Sequence, residues 1–413
     1  MTAGLKRSFE SLSILNYRRF FIGQVVSLSG NWMQTVAEVW LILSLTGSGL
    51  AVGITTALQF LPIMLLGAWG GSLADRFQKR RLLMLTQALL MVPPLVLAAV
   101  TFEGVVAPWM IYSLVLIRGT LIAIDNPARQ AFVMEMVGPS RIVNAVSLNS
   151  VIVHSARVIG PALAGVLLAT AGVAPCFALN SLSFIVMIWA LNGMNSAQLS
   201  PPPKVGKDRG GVREAFRYVR RTPELSMPLL LMALVGTLGL NFHVILPLLA
   251  RLSFDGGASS YAVLVSAMGV GSVIGALVTG ARGQTGLGVI GFSSLSFGFF
   301  AMIAAAMPSL ASEALILALL GASAVTFAAA VNSTLQLAVS PETRGRVMAL
   351  YTVAFPGPTP TGAPLAGWIS EAYDPRVALG IAAASGLLAA AATLKISRSD
   401  RLDFTTVDPP LAQ

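Results

Sequence analysis

Few residues of this 413-residue chain can do chemistry, and most of those sit inside long apolar runs. Glu38 shares one side of its run with Gln24, Asn31 and Gln34: Gln24, Asn31 and Glu38 recur at seven, and Gln34 follows Asn31 by three. A carboxylate in so low a dielectric can bind and release a proton, because desolvation disfavours its charge. Arg118 lies in mid-run, where an arginine costs at least about 2.5 kcal/mol on insertion scales, so it should face an interior partner. Asp125 and Arg157 complete the proton-coupling candidates, with Arg157 expected to pair with a carboxylate such as Asp125 or Glu38. His154, one turn from Arg157, reads as a hydrogen-bonded packing histidine. Asn31, Trp32 and Gln34, with Asn241, His243, Asn332 and Gln336 in the second half, are candidates to line a substrate cavity. The second half shows no clear mid-run carboxylate: Glu313, Glu371 and Asp374 fall at run ends or loops. Coupling chemistry is therefore expected mainly in the first half.

Other chemistries are missing from the sequence. The single Cys176 excludes a disulfide framework, and two distant histidines, His154 and His243, argue against a metal site. There is no Gly-x4-Gly-Lys-Ser/Thr phosphate loop and no nucleophile–base pair, so neither ATP use nor an enzyme is expected, and no cofactor.

The elements that must position these residues follow from composition. Fifty-five per cent of the chain is hydrophobic and 11% charged, against about 25% charged in soluble domains. That excludes a soluble enzyme, a disordered chain and a nucleic-acid-binding domain, despite a formal charge of +10. With about 20 apolar residues per crossing, twelve spanning helices are predicted. They run Phe20–Leu45, Ala51–Ala74, Leu82–Phe102, Trp109–Asn126, Ala145–Ala171, Pro175–Gly193, Leu225–Ala250, Ser260–Gly280, Leu287–Met307, Ala314–Val339, Val347–Ser370 and Val377–Leu394. With the N-terminus in the cytoplasm, every Lys and Arg except Arg118, Arg157, Arg251 and Arg376 falls on the cytoplasmic side. This positive-inside pattern puts both termini in the cytoplasm and assigns the basic charge to topology and acidic lipid headgroups.

The chain reads as two bundles, 1–194 and 225–396, with a cytoplasmic linker 195–224 and a cytoplasmic tail 397–413. The linker opens on Ser200-Pro201-Pro202-Pro203 and continues as a basic amphipathic helix, Val212–Arg221, with Val212, Phe216 and Val219 on one side. A shift of 202 residues superposes Gly160 on Gly362, Leu163 on Leu365, Ala164 on Ala366 and Gly165 on Gly367. Such an internal repeat suits paired helical bundles around a central cavity.

Three motifs carry a resemblance. The loop Gly71-Ser72-Leu73-Ala74-Asp75-Arg76-Phe77-Gln78-Lys79-Arg80-Arg81 resembles the signature loop of the major facilitator superfamily, Gln78 standing where that pattern prefers Gly. Physically, Gly70 and Gly71 would let a neighbouring helix approach, and Asp75 would accept from donors on another helix. The equivalent after the eighth span (Gly280, Arg282, Gly283) is degenerate. Arg118-Gly119 in the fourth span is similar to the buried arginine of proton-coupled exporters. Gly160-Pro161-Ala162-Leu163-Ala164-Gly165 is similar to their fifth-span packing motif. With Asp125–Phe132 and Leu148-Asn149-Ser150, these resemble the twelve-span branch that includes enterobactin and macrolide exporters.

The resemblance implies an all-α membrane protein of the major facilitator fold in the bacterial inner membrane, most simply a monomer. It implies export of amphipathic organic molecules, drugs or siderophores, in exchange for protons by alternating access. Gly71, Asp75, Arg76, Lys79 and Arg80 would then form a conformational latch, and Gly160, Pro161 and Gly165 a helix contact. An importer or uniporter of a small metabolite, and a sensor or scaffold on the same fold, are the alternatives.

Overall fold

The computed structural model describes residues 10–138, 141–199, 212–282, 285–339, 347–348, 350–351, 354–355 and 357–397. The proline run Ser200–Pro203, Gly283, Arg344 and Arg346 and nearly all of the tail lie outside these residues. So do the side chains of His154, Val212 and Phe216.

Among the described residues the structure is helical, without a strand. An apolar chain in lipid has no water to satisfy its backbone, and helices satisfy it internally. The helices are α1 (Leu15–Thr46), α2 (Gly49–Arg76), α3 (Lys79–Leu90), α4 (Val92–Phe102), α5 (Pro108–Val137), α6 (Ile142–Thr170) and α7 (Ala174–Asn192). They continue as α8 (Val212–Arg221), α9 (Pro223–Leu238), α10 (Phe242–Leu248), α11 (Ala258–Arg282), α12 (Leu287–Ala304), α13 (Leu310–Leu337), α14 (Thr359–Ala372) and α15 (Pro375–Ser397).

Ten stretches are long and apolar enough to cross a membrane, with α3–α4 counting as one and α9–α10, extended to Ser253, as another. The other two spans expected from sequence form α1 and α14. The polar stripe of α1 lowers its hydropathy, and α14 is described only from Thr359. Two spans are interrupted for local reasons. Pro93 and Pro94 lack an N–H, and α3 gives way to α4 at Met91 just before them. In the seventh span the helix breaks at Gly239, and the Asn241 side chain donates to the Thr237 carbonyl at 2.6 Å, replacing a lost backbone bond.

The described helices fall into two compact units. The first comprises Met1–Gly47, Leu58–Lys204 and Gly257–Ser266, and the second Ser48–Ala57, Val205–Gly256 and Ala267–Gln413. In the first unit α1 packs against α6 and α7, while α3 packs against α5 and α7. Its core gathers Tyr17, Phe20, Leu83, Phe132 and Met187, with Phe20 edge-on to Phe132 at 5.9 Å. In the second unit α12 packs against α15 and α13.

The repeat has a physical counterpart in each unit. A Cβ at Gly160 or Gly165 on α6, or at Gly362 or Gly367 on α14, would collide with a neighbouring helix. The same two small positions thus make a close approach in both halves.

Candidate functional site

The first unit carries a charged network in its interior. Along α1, Gln34 and Glu38 stand four residues apart and so share a face, which the packing of α6 and α7 buries. The Glu38 Oε2 lies 2.8 Å from Arg118 Nη2 of α5, both side chains being at most 2% exposed. Gln34 Nε2 donates to the other oxygen, Oε1, at 2.6 Å. Asn180 on α7 donates to the Gln34 Oε1, and Ser183 donates to Asn180 Oδ1 at 2.9 Å. Arg118 Nη2 reaches Thr35 Oγ1 at 3.5 Å, while its Nε has no partner among the described residues. The result is a relay from Ser183 through Asn180, Gln34 and Glu38 to Arg118. Its charge is buried but paired, the condition under which an ionised carboxylate is tolerated in an interior.

Gly30 makes room for this relay. A Cβ there would meet Asn180 Oδ1 and, at 2.8 Å, Ser183 Oγ. α1 can therefore lie directly on the amide that orients Gln34.

Asp125 belongs to a second network. Its Oδ1 accepts from Thr86 Oγ1 at 2.6 Å and Gln87 Nε2 at 2.8 Å, and its Oδ2 lies 2.6 Å from Arg129 Nη2. Arg129 also donates to Gln24. Arg157 departs from the sequence expectation. No carboxylate pairs with it among the described residues, and its guanidinium lies 5.3 Å from the centre of the Trp32 ring. The two carboxylates expected to take it are occupied, Glu38 by Arg118 and Asp125 by Arg129, so the aromatic face takes the cation instead.

The loop after α2 is also arranged differently from expectation. Gly70, not Gly71, touches α5: a Cβ on Gly70 would strike the Ala123 carbonyl, whereas Gly71 faces open space. Successive residues on a helix point about 100° apart, so only one of the pair can face α5. Asp75 and Arg76 are exposed and make no side-chain bond among the described residues. The cross-helix ties come from their neighbours. Lys79 pairs with Glu135 at 3.2 Å; Arg80 donates to the Leu191 and Asn192 carbonyls at 2.8 Å and to Ser196. Gln78 takes φ −64°, a conformation open to any residue, so the turn does not need the glycine of the pattern.

Gly160 of α6 lies against Trp32 and Ser29 of α1, and Gly165 against Ala262 of α11, with Pro161 beside the first contact. A groove of about 550 Å³ next to Gly165 is lined by Ala162, Val166, Ala169, Ala262 and Val263, and by none of the polar cavity candidates. Asn31 bonds back to the Ser27 carbonyl at 3.1 Å. In the second unit Gln336 Nε2 donates to Asn332 Oδ1 at 2.5 Å, Asn241 donates back to the Thr237 carbonyl of α9, and His243 has a partner in its surroundings.

Asn180, Ser183, Thr35 and Arg129 escaped the sequence reading. Asn180 and Ser183 are three residues apart inside an otherwise apolar run, and polar spacing within a span was the signal that could have found them.

A two-unit helical membrane protein with a buried Glu–Arg pair fits a transport fold, and comparison with known proteins decides the family. The profile described as transmembrane secretion effector, within the major facilitator superfamily, matches residues 7–409. The chain belongs to this family.

It is accordingly a multi-pass membrane transporter of the major facilitator type, a family of transporters and not of enzymes. Its relatives include the staphyloferrin A transporter of Staphylococcus aureus, 24% identical over 63% of this chain and 65% of that protein, slightly under two thirds of its length. The enterobactin exporter EntS of Salmonella typhimurium is 27% identical over 87% of this chain and 86% of that protein. Among solved structures, the nucleoside transporter NupG superposes with a TM-score of 0.72 at 13% identity, over 93% of this chain and 99% of its own. A bacterial homologue of the lysosomal transporter Spinster, in its inward-facing conformation, gives 0.73 at 16% identity, over 94% and 98%. These likenesses establish the major facilitator fold.

Proposed function

We propose that this transporter exports amphipathic organic molecules, drugs or siderophores, by proton antiport with alternating access. It does so as a monomer in the bacterial inner membrane, with both termini cytoplasmic and the basic linker helix against acidic lipid headgroups. Residues 1–194 and 225–396 form the two moving bundles.

The observation that carries this reading is the buried Glu38–Arg118 pair with Gln34 on its second carboxylate oxygen. Protonating Glu38 cancels the charge that holds Arg118. The arginine is then left with Thr35 and an unsatisfied guanidinium in a low-dielectric interior, an unfavourable state that favours rearrangement of α5 against α1. Loss of the proton restores the pair. Arg157, lying over Trp32, offers a cation with an aromatic floor to the acidic part of a substrate. Asp125 supports the same bundle through Arg129, Thr86 and Gln87, and Lys79 and Arg80 hold the loop that latches it. The siderophore relatives favour this substrate class. The substrate-contacting candidates are Asn31, Trp32 and Gln34 in the first unit and Asn241, His243, Asn332 and Gln336 in the second.

The test is a growth screen against a panel of toxic compounds, with and without expression, repeated for Glu38→Gln. Protection by the wild type that Glu38→Gln abolishes at equal expression supports the reading. Protection that is identical in both removes the coupling role of Glu38.

A further inference from the structure

The second unit holds a carboxylate that the proposal above does not use. Glu313 stands in the first turn of α13 and is fully buried, 0% exposed. An acid at that place ordinarily serves the helix end, where free N–H groups and the helix dipole favour negative charge. Here two serines cap the helix instead. Ser309 Oγ accepts from the Ser312 N–H, and Ser312 Oγ accepts from the Ser309 N–H, each at 3.3 Å.

The Glu313 side chain is turned inward. Among the described residues neither of its oxygens has a hydrogen-bond partner. The cation that acts on it is Arg376, in the first turn of α15, but no ion pair joins the two. Arg376 Nη1 points to the Ala305 carbonyl at 3.5 Å, and its guanidinium lies 5.7 Å from the Phe254 ring. Its backbone N–H donates to Asp374 Oδ1 at 2.7 Å.

No other charge faces Glu313 from the described residues packed on α13. α12 carries no ionisable side chain. The ionisable group of α9 is Glu224, a full span away from Phe254 and Arg376. On α11, Thr279 bonds Thr326 of α13 at 3.0 Å, so Arg282 lies beyond that point, towards the opposite end of α13; Tyr261, near the start of α11, is an uncharged phenol whose hydroxyl has no hydrogen-bond partner among the described residues. An ionised carboxylate sealed from water without a donor is far costlier than a neutral carboxyl.

We propose that Glu313 is a proton-binding site of the second unit, neutral in this conformation, with Arg376 as the cation that engages the carboxylate when the proton leaves. Ionisation breaks the O–H bond, leaves its electron pair on the carboxylate and passes the proton to water. Arg376 must then turn from the Ala305 carbonyl towards Glu313. The site does not rest on the antiport reading, because it titrates whether or not transport is coupled to protons.

Infrared difference spectroscopy on the full-length protein in lipid nanodiscs tests this. The wild type is expected to show a protonated-carboxyl C=O band at neutral pH that shifts on deuterium exchange and titrates away in alkali. Glu313→Gln abolishes that band, and Glu38→Gln leaves it in place, so the two readings fail separately. Arg376→Gln moves its titration midpoint to higher pH, since the favourable cation is gone. If Glu313→Gln does not fold, Glu313→Asp must displace the band or its midpoint. A wild type without the band, or a band that neither Glu313 variant alters, overturns the proposal.

Discussion

Arg118 Nη2 and Glu38 Oε2 meet at 2.8 Å, and together they form the most deeply buried ion pair described in this molecule. Neither side chain has solvent to fall back on, so each depends on the other. Removing one partner of a buried pair costs about 3–5 kcal/mol, while removing both costs far less than the sum. Glu38→Gln and Arg118→Met should each lower the melting temperature in detergent by several degrees. The double variant should recover much of that loss, and strict additivity would show that the two residues are not energetically coupled.

The relay above Glu38 depends on a residue that contributes no side chain. A methyl at position 30 would meet Asn180 and Ser183 in an interior without slack. Gly30→Ala should destabilise by roughly 1–3 kcal/mol, the usual cost of overpacking. It should also reduce transport below the level its expression accounts for. Differential scanning fluorimetry and transport normalised to folded protein separate the two effects.

Arg157→Gln should act on substrate more than on stability. A charge-assisted hydrogen bond is worth about 1.5–3 kcal/mol, so transport of acidic compounds should fall roughly tenfold or more. Transport of lipophilic cations should change little. Competition assays on the two compound classes with a single preparation check the ratio.

Glu371 anchors the start of α2. It accepts from Ser48 Oγ at 2.7 Å and from the Leu50 N–H at 3.0 Å, and these donors, the backbone N–H first, hold its carboxyl below the usual range. Depression of a folded-state acid means that the contact is fully present above the ordinary value of about 4.3 and is lost only as pH falls through the lower folded value. The protection factor for amide exchange at the first turn of α2, which removes the intrinsic pH dependence of exchange, should therefore be flat across neutral pH and fall in strong acid. Glu371→Gln should raise exchange already at neutral pH, at a cost of roughly 0.5 kcal/mol, the low end for a cap.

The parts of this molecule that the sequence made legible are those set by lipid. Run length and the repeat of Gly160 and Gly165 at Gly362 and Gly367 announced the helices and their close contacts, because a membrane leaves the backbone few options. Partner choice was less visible. The stripe on α1 predicted that Glu38 faces inward, but not that Arg129, assigned to a loop, would claim Asp125 and leave Arg157 to Trp32. Such pairings depend on which side chain of a neighbouring helix arrives at the same depth, and spacing along one helix does not encode that. Glu313 falls at a run end in the sequence and at a helix end in the structure. What the sequence does not show is that it is buried without a donor while Ser309 and Ser312 cap the helix instead.

The most direct test of the account is proton movement itself. Everted membrane vesicles carrying the transporter are energised, and the acid interior is followed with a fluorescent weak base while enterobactin or a lipophilic cation is added. Wild-type vesicles should release protons on addition of a transported substrate, whereas Glu38→Gln vesicles, with equal amounts of folded protein, should release none. Substrate uptake by the wild type without any proton release, or proton release by Glu38→Gln equal to the wild type, would contradict the account.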